Sequence, residues 1–114
     1  MDARRVERLS EQFRLLISGI LEKEVSDPRL EFVTVNRVCL SKDGSFATVF
    51  FSMIGSEDNI VQSRNAMESA SGFIRRELAG KVRLRTVPKL RFVYDRSLEE
   101  GEKILGIIRE INPD

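Results

Sequence analysis

Seven basic residues crowd the seventeen positions from Arg75 to Arg91: Arg75, Arg76, Lys81, Arg83, Arg85, Lys89 and Arg91, with Glu77 as the one acid among them. The segment carries +6 in a chain of net charge +1, so the remaining residues sum to −5. Guanidinium groups at this density suit phosphate, which they hold by paired, charge-assisted hydrogen bonds. For any single arginine a solvated surface role is an equal expectation. It is the clustering, in a chain close to neutral overall, that favours one face aimed at a polyanion.

Other chemistries are poorly supplied. The chain has no histidine and a single cysteine, Cys39, so zinc sites, Ser-His triads and Cys-His pairs are excluded. No pair of acids stands in a setting suited to carboxylate catalysis. The expectation is a protein that is not an enzyme and needs neither metal nor cofactor. Cys39 has no partner for an internal disulfide and is expected to be buried as a small apolar residue. The longest apolar run, around ATVFFSMI, is too short to span a bilayer, and no charged leader precedes an apolar core at the N-terminus. A cytoplasmic protein without membrane contact is expected. With 114 residues, 41% hydrophobic and 32% charged, the chain reads as one domain over 1–114 with a core of its own.

The elements that must position the basic cluster follow from periodicity. Val6, Leu9, Phe13, Leu16, Ile17, Ile20 and Leu21 recur at helical steps, with Arg4, Arg5, Arg8 and Arg14 beside or off that stripe. Pro28 then forces a turn in SDPRL. Two strands are expected at Phe32 to Leu40 and Phe46 to Ile54, joined as an antiparallel hairpin by the Asp43-Gly44 pair. The second strand is apolar on both faces, as a central strand would be. Its Phe50 lies on the less apolar face and is expected to be structural, with a partner contact as the alternative. GSEDN offers an N-cap to a helix carrying Ile60, Met67, Ala70, Ile74 and Leu78, with Ala66 and Phe73 widening the stripe and Gly80 ending it. The basic loop KVRLRTVPK leads to a third strand, LRFVYD, in which Leu90, Phe92 and Tyr94 alternate with Arg91 and Val93. A last helix is expected from a cap at Asp95-Arg96-Ser97, packed through Leu98, Ile104, Leu105, Ile107 and Ile108. A right-handed crossover makes the third strand parallel to the second, giving an α+β sandwich with helices on one face of a three-stranded mixed sheet.

The middle helix contains Ser69-Ala70-Ser71-Gly72, a poor run for a helix interior, with Gly worst at about 1 kcal/mol relative to Ala. On a helical wheel Arg75 and Arg76 fall within about 60° of Gly72, while Ile74 and Leu78 fall opposite. Ala70 therefore faces the core and Gly72 faces outward beside two guanidinium groups, where a phosphate–sugar chain could approach the bare backbone. Relief of crowding against a neighbouring element is the competing explanation for Gly72. A break at Ser71, give or take one residue, would also create a fresh helix N-terminus with N–H groups open to anions.

Several phrases together are characteristic: RRVERLSEQFRLLISGIL, DPRL, VTVNRVCLSKDGSFATVFFSMIG, ESASGFIRREL and LRTVPKLRFVYDRSLEEGEKI. On these the chain resembles the ribosome-binding factor A family, bacterial assembly factors of the small ribosomal subunit, nearly end to end. The resemblance implies a type II KH-like domain without a GxxG loop, having instead an interhelical kink at Ala70, Ser71 and Gly72. It implies binding to the immature 30S subunit and 16S rRNA and help with late maturation, including processing of the 16S 5′ end, without nuclease activity. It further implies a link to growth in the cold and a ribosome-assembly GTPase that helps release the factor from the subunit. A monomer is expected.

With the family in view, Arg75, Arg76, Lys81, Arg83 and Arg85 are expected to grip rRNA backbone around the kink. Lys89 and Arg91 would extend the patch, and Arg4, Arg5 and Arg8 would add a second basic edge. A patch of arginines with few exposed aromatics fits phosphate clamping better than base stacking. The rival readings are a general single-stranded RNA-binding KH module and a protein–protein adaptor using Phe50 and the open sheet face.

Overall fold

The apolar stripe of the N-terminal segment becomes α1, Ala3–Lys23, in a computed structural model that describes residues 2–97. Asp2 caps it, its carboxylate accepting from the amides of Arg4 at 2.9 Å and Arg5 at 3.2 Å. Phe13, Ile17, Ile20 and Leu21 are buried along the inner face. After α1, Asp27 caps a single 3-10 turn over Pro28–Leu30, with proline at its first position where no amide donor is needed.

The hairpin forms as the Asp43-Gly44 pair demands. β1 (Val33–Leu40) and β2 (Phe46–Met53) pair antiparallel, and Gly44 adopts a φ of 76° in the turn. β3 (Lys89–Tyr94) pairs parallel with β2, so the sheet order is β1-β2-β3 with β2 central. Ala47, Val49 and Phe51 of β2 are fully buried on the helix-covered face. The other face carries Phe46, Thr48, Phe50 and Ser52, all half-buried. No helix among the described residues is long and apolar enough to cross a membrane.

β1 holds a departure that its sequence does not announce. The register steps from Val35↔Phe51 to Arg37↔Phe50, leaving Asn36 as the extra residue of a β-bulge. The bulge reverses the alternation, so Val35, Val38 and Leu40 all reach the core, at 7%, 6% and 7% exposure. Arg37 and Cys39 are thereby turned to the open face. Cys39 is exposed, and the expectation of a buried thiol is corrected. An unbroken two-residue alternation from Val35 would have sent it inward. Asn36 itself is used: its amide donates to the Asp95 carboxylate at 3.2 Å, and its carbonyl accepts from the Ser52 hydroxyl at 3.2 Å.

α2 runs without interruption over Glu57–Lys81. Ser56 caps it in a reciprocal capping box with Asn59, and Glu57 and Asp58 occupy the positive end of the dipole. The break expected at Ser71 is absent: Ser69 to Gly72 lie inside one continuous α-helix. The energetic reason is the stripe on either side. Burial of Ala66, Met67, Ile74 and Leu78 on either side of the run gains about 1.5–3 kcal/mol per large side chain, more than the ~1 kcal/mol cost of one glycine. Gly80 also does not end the helix, which continues to Lys81 and is capped by the extended residue Val82. The last helix expected beyond Ser97 lies outside the described residues.

Candidate nucleic-acid interface

The basic cluster occupies the C-terminal half of α2, the loop after it and the outward positions of β3. Its members differ sharply in how they are held. Arg75 is half-buried, and its guanidinium donates to two backbone carbonyls, Nε to Pro88 at 3.0 Å and Nη2 to Val87 at 3.0 Å. It ties α2 to the segment leading into β3, so the expectation that it grips RNA is modified: its fork is already engaged. Lys81 reaches Glu24 at 3.4 Å and Glu77 at 3.7 Å, joining the ends of the two helices.

Arg76, Arg83 and Arg85 are exposed and make no ion pair with the described residues. Unlike Arg75, whose donors are held by two carbonyls, these three leave their guanidinium groups without a carboxylate partner among the described residues. Lys89 and Arg91 are exposed on the outward side of β3, and the Arg91 guanidinium lies 4.0 Å from the centre of the Phe46 ring. Arg4, Arg5 and Arg8 are exposed in the first two turns of α1. Lys81 contacts the other end of that helix, and 1.5 Å per residue puts about 24 Å along the axis between Arg8 and Glu24. They form a separate basic edge rather than an extension of the cluster at Lys81.

Gly72 is exposed, and a Cβ built on it would meet nothing within 4 Å. Crowding against a neighbour is therefore not the reason for this glycine. Ala70 is half-buried and packs against the core, as its place on the wheel requires, and Ser71 is half-buried between them. The bare backbone at Gly72 lies one helical turn from exposed Arg76.

Arg37 is a basic residue that the sequence pattern conceals. Its guanidinium stacks 4.0 Å from the centre of the Phe50 ring on the open sheet face. The signal that could have found it is the pair Val35 and Val38, two apolar residues that cannot both face the core in a regular strand.

The fold and site define a small α+β type of protein: one mixed sheet, helices on one face among the described residues, and an arginine-rich edge free of carboxylate partners among those residues. A sequence profile of the family described as Ribosome-binding factor A matches residues 5–108. Ribosome-binding factor A of Natranaerobius thermophilus is 44% identical over 112 residues, covering 98% of this chain and 86% of that protein. The crystal structure of ribosome-binding factor A from Thermus thermophilus superposes with a TM-score of 0.73 at 30% identity, covering 81% of this chain and 97% of that one. A homology model of the Thermus thermophilus factor, as fitted into the cryo-EM map of a 30S complex, gives a TM-score of 0.66 at 31% identity, over 80% of this chain and 96% of that one. The chain belongs to the ribosome-binding factor A family.

Proposed function

We propose that this protein is a cytoplasmic assembly factor that binds the immature 30S subunit through 16S rRNA and promotes its late maturation, including processing of the 16S 5′ end. It acts by binding, as a monomer, and cuts no RNA itself. A homology model of a relative has been fitted into the cryo-EM map of that relative's 30S complex, which supports the choice of partner. The observation that carries the reading is the set Arg76, Arg83 and Arg85, three exposed guanidinium groups without ion-pair partners among the described residues, the first of them one helical turn from the bare backbone of Gly72. Duplex RNA exposes its phosphates and 2′-hydroxyls while hiding its base edges in a deep groove, and free arginines are suited to those phosphates. Holding rRNA in one arrangement until maturation is complete is a shift of population, with release assigned to a ribosome-assembly GTPase.

Sedimentation of a lysate containing the tagged protein tests this. Comigration with free small subunits, weakening as salt rises, is the expected result. Comigration with neither small subunits nor 70S ribosomes at low salt would overturn it. The 5′-end claim is checked by depleting the protein and measuring 16S precursor, which should accumulate.

A further inference from the structure

The face of the sheet away from the helices is built from alternating cations and rings. Arg37 of β1 lies 4.0 Å from the centre of the Phe50 ring, and Arg91 of β3 lies 4.0 Å from the centre of the Phe46 ring. Both rings belong to the central strand, and four residues at about 3.3 Å each separate them by about 13 Å. Lys89 adds a third cation beside Phe46 in the register. No Asp or Glu occupies an outward position of the three strands. Of the acids at the rim, Asp95 accepts from Asn36 at 3.2 Å and from the Ser97 amide at 3.0 Å and lies within the field of Arg37, Asp43 is held by Ser41 and Ser45 in the hairpin turn, Glu11 pairs with Arg14, and Glu7 lines a cleft with Arg37 beside α1.

Structural necessity does not explain this surface. The rings are half-buried although no helix among the described residues covers them, and each has the guanidinium carbon of an exposed arginine 4.0 Å from its centre. A guanidinium stacked on phenylalanine keeps its second face for a further planar group and its edge N–H donors for phosphate. Unpaired bases stack on aromatic rings and on guanidinium planes, and their phosphates seek the cations between. A protein surface would match the rings but leave Lys89 and Arg91, which have no ion-pair partner among the described residues, to be desolvated at a cost.

We propose that the open sheet face is a second RNA-binding surface that takes an unpaired strand, with Arg37 on Phe50 and Arg91 on Phe46 as two stacking platforms. The inference rests on the reading of the protein as an RNA binder, but it uses a different face and a different form of RNA from the phosphate-binding ridge at Arg76, Arg83 and Arg85.

The test uses the full chain and two fluorescent probes, an unpaired 12-nucleotide RNA and an RNA duplex, with binding read by anisotropy. Arg37→Lys with Arg91→Lys keeps both charges and removes both planes. This variant should bind the unpaired RNA at least about fivefold more weakly and the duplex as tightly as the wild type. Phe50→Leu, which removes one platform, should lose unpaired RNA in the same way. The Arg76→Ala, Arg83→Ala, Arg85→Ala variant should lose the duplex. Unchanged affinity of the lysine variant for unpaired RNA overturns the stacking face and leaves the ridge intact. Unchanged affinity of the alanine variant for duplex overturns the ridge and leaves the stacking face intact. Loss of subunit comigration by the lysine variant with unpaired-RNA affinity retained would assign the face to a protein partner and overturn the proposal.

Discussion

The guanidinium of Arg75 closes onto the backbone beside Pro88, Nε to the Pro88 carbonyl at 3.0 Å and Nη2 to the Val87 carbonyl at 3.0 Å. This fork fixes where the loop after α2 turns into β3, and β3 is held against β2 by a parallel ladder that begins at once, at Phe46↔Lys89. Pro88 is fully buried, so its carbonyl has little access to water if the donor is lost. Truncation to Arg75→Ala should therefore destabilise the protein by about 1.5–3 kcal/mol, the range for hydrogen bonds from a charged donor. Arg75→Lys should recover part of this, since an ammonium group cannot span two carbonyls as a planar fork does. Urea unfolding of the three proteins checks the order wild type, lysine, alanine.

Arg76, Arg83 and Arg85 should behave in the opposite way. They are exposed and hold nothing in the fold, so replacing all three by alanine should change stability by less than about 0.5 kcal/mol. The same replacement should lower the slope of log affinity for RNA against log salt by about three, near one for each phosphate no longer neutralised. Titrations at several salt concentrations separate these outcomes. A large loss of stability with an unchanged slope would move these arginines from the RNA to the fold.

The contrast between Arg75 and Arg76 marks the limit of what sequence pattern resolves. Amphipathic periods alone locate both helices and all three strands, and the parallel placement of β3 follows from the handedness of the crossover. Adjacent arginines on one side of the wheel, however, look alike until the carbonyls of Val87 and Pro88 are in place. The bulge at Asn36 is likewise hidden, because its cause lies across the sheet, in the bonds from Asn36 to Ser52 and Asp95. That single insertion decides the fate of Arg37 and Cys39. The Ser69-Gly72 run misleads for a different reason. Propensity is a weak term, and residues on both sides of the run are buried in the same core.

Gly72 offers a direct test of what its bare backbone is for. A Cβ there would meet nothing within 4 Å, and the residue is exposed within a continuous helix. Gly72→Ala should thus stabilise the protein by about 0.5–1 kcal/mol, the difference in helix cost between the two residues. If RNA approaches the backbone at this point, the more stable variant should nevertheless bind small subunits more weakly than the wild type. Thermal unfolding and subunit sedimentation on the same preparation check both halves. A rise in both stability and binding would remove Gly72 from the interface.

The hairpin turn that sets the register of the sheet should be acid-sensitive through Asp43. Its carboxylate accepts from the Ser45 hydroxyl at 2.7 Å, the Ser45 amide at 3.0 Å and the Ser41 hydroxyl at 2.8 Å. These bonds, that from the Ser45 side chain foremost, hold its pKa down to about 2 from an ordinary 3.8. A pKa depressed in the folded state means stability that is present above the ordinary value and lost as pH falls through the folded one. The contribution of Asp43 should therefore be complete above pH ~4 and fade between about 4 and about 2. Other carboxylates, those of Glu11, Asp27, Glu57 and Asp95, are also lowered by their hydrogen-bonded partners and give a shared acid-dependent background. Asp43→Asn isolates one group from that background. The gap in Tm between wild type and Asp43→Asn should be constant near neutrality and should narrow through that window, because the wild type alone loses a charge there. A gap that stays constant down to pH ~2 would show that the charge on Asp43, as distinct from its hydrogen-bonding shape, contributes nothing to the turn.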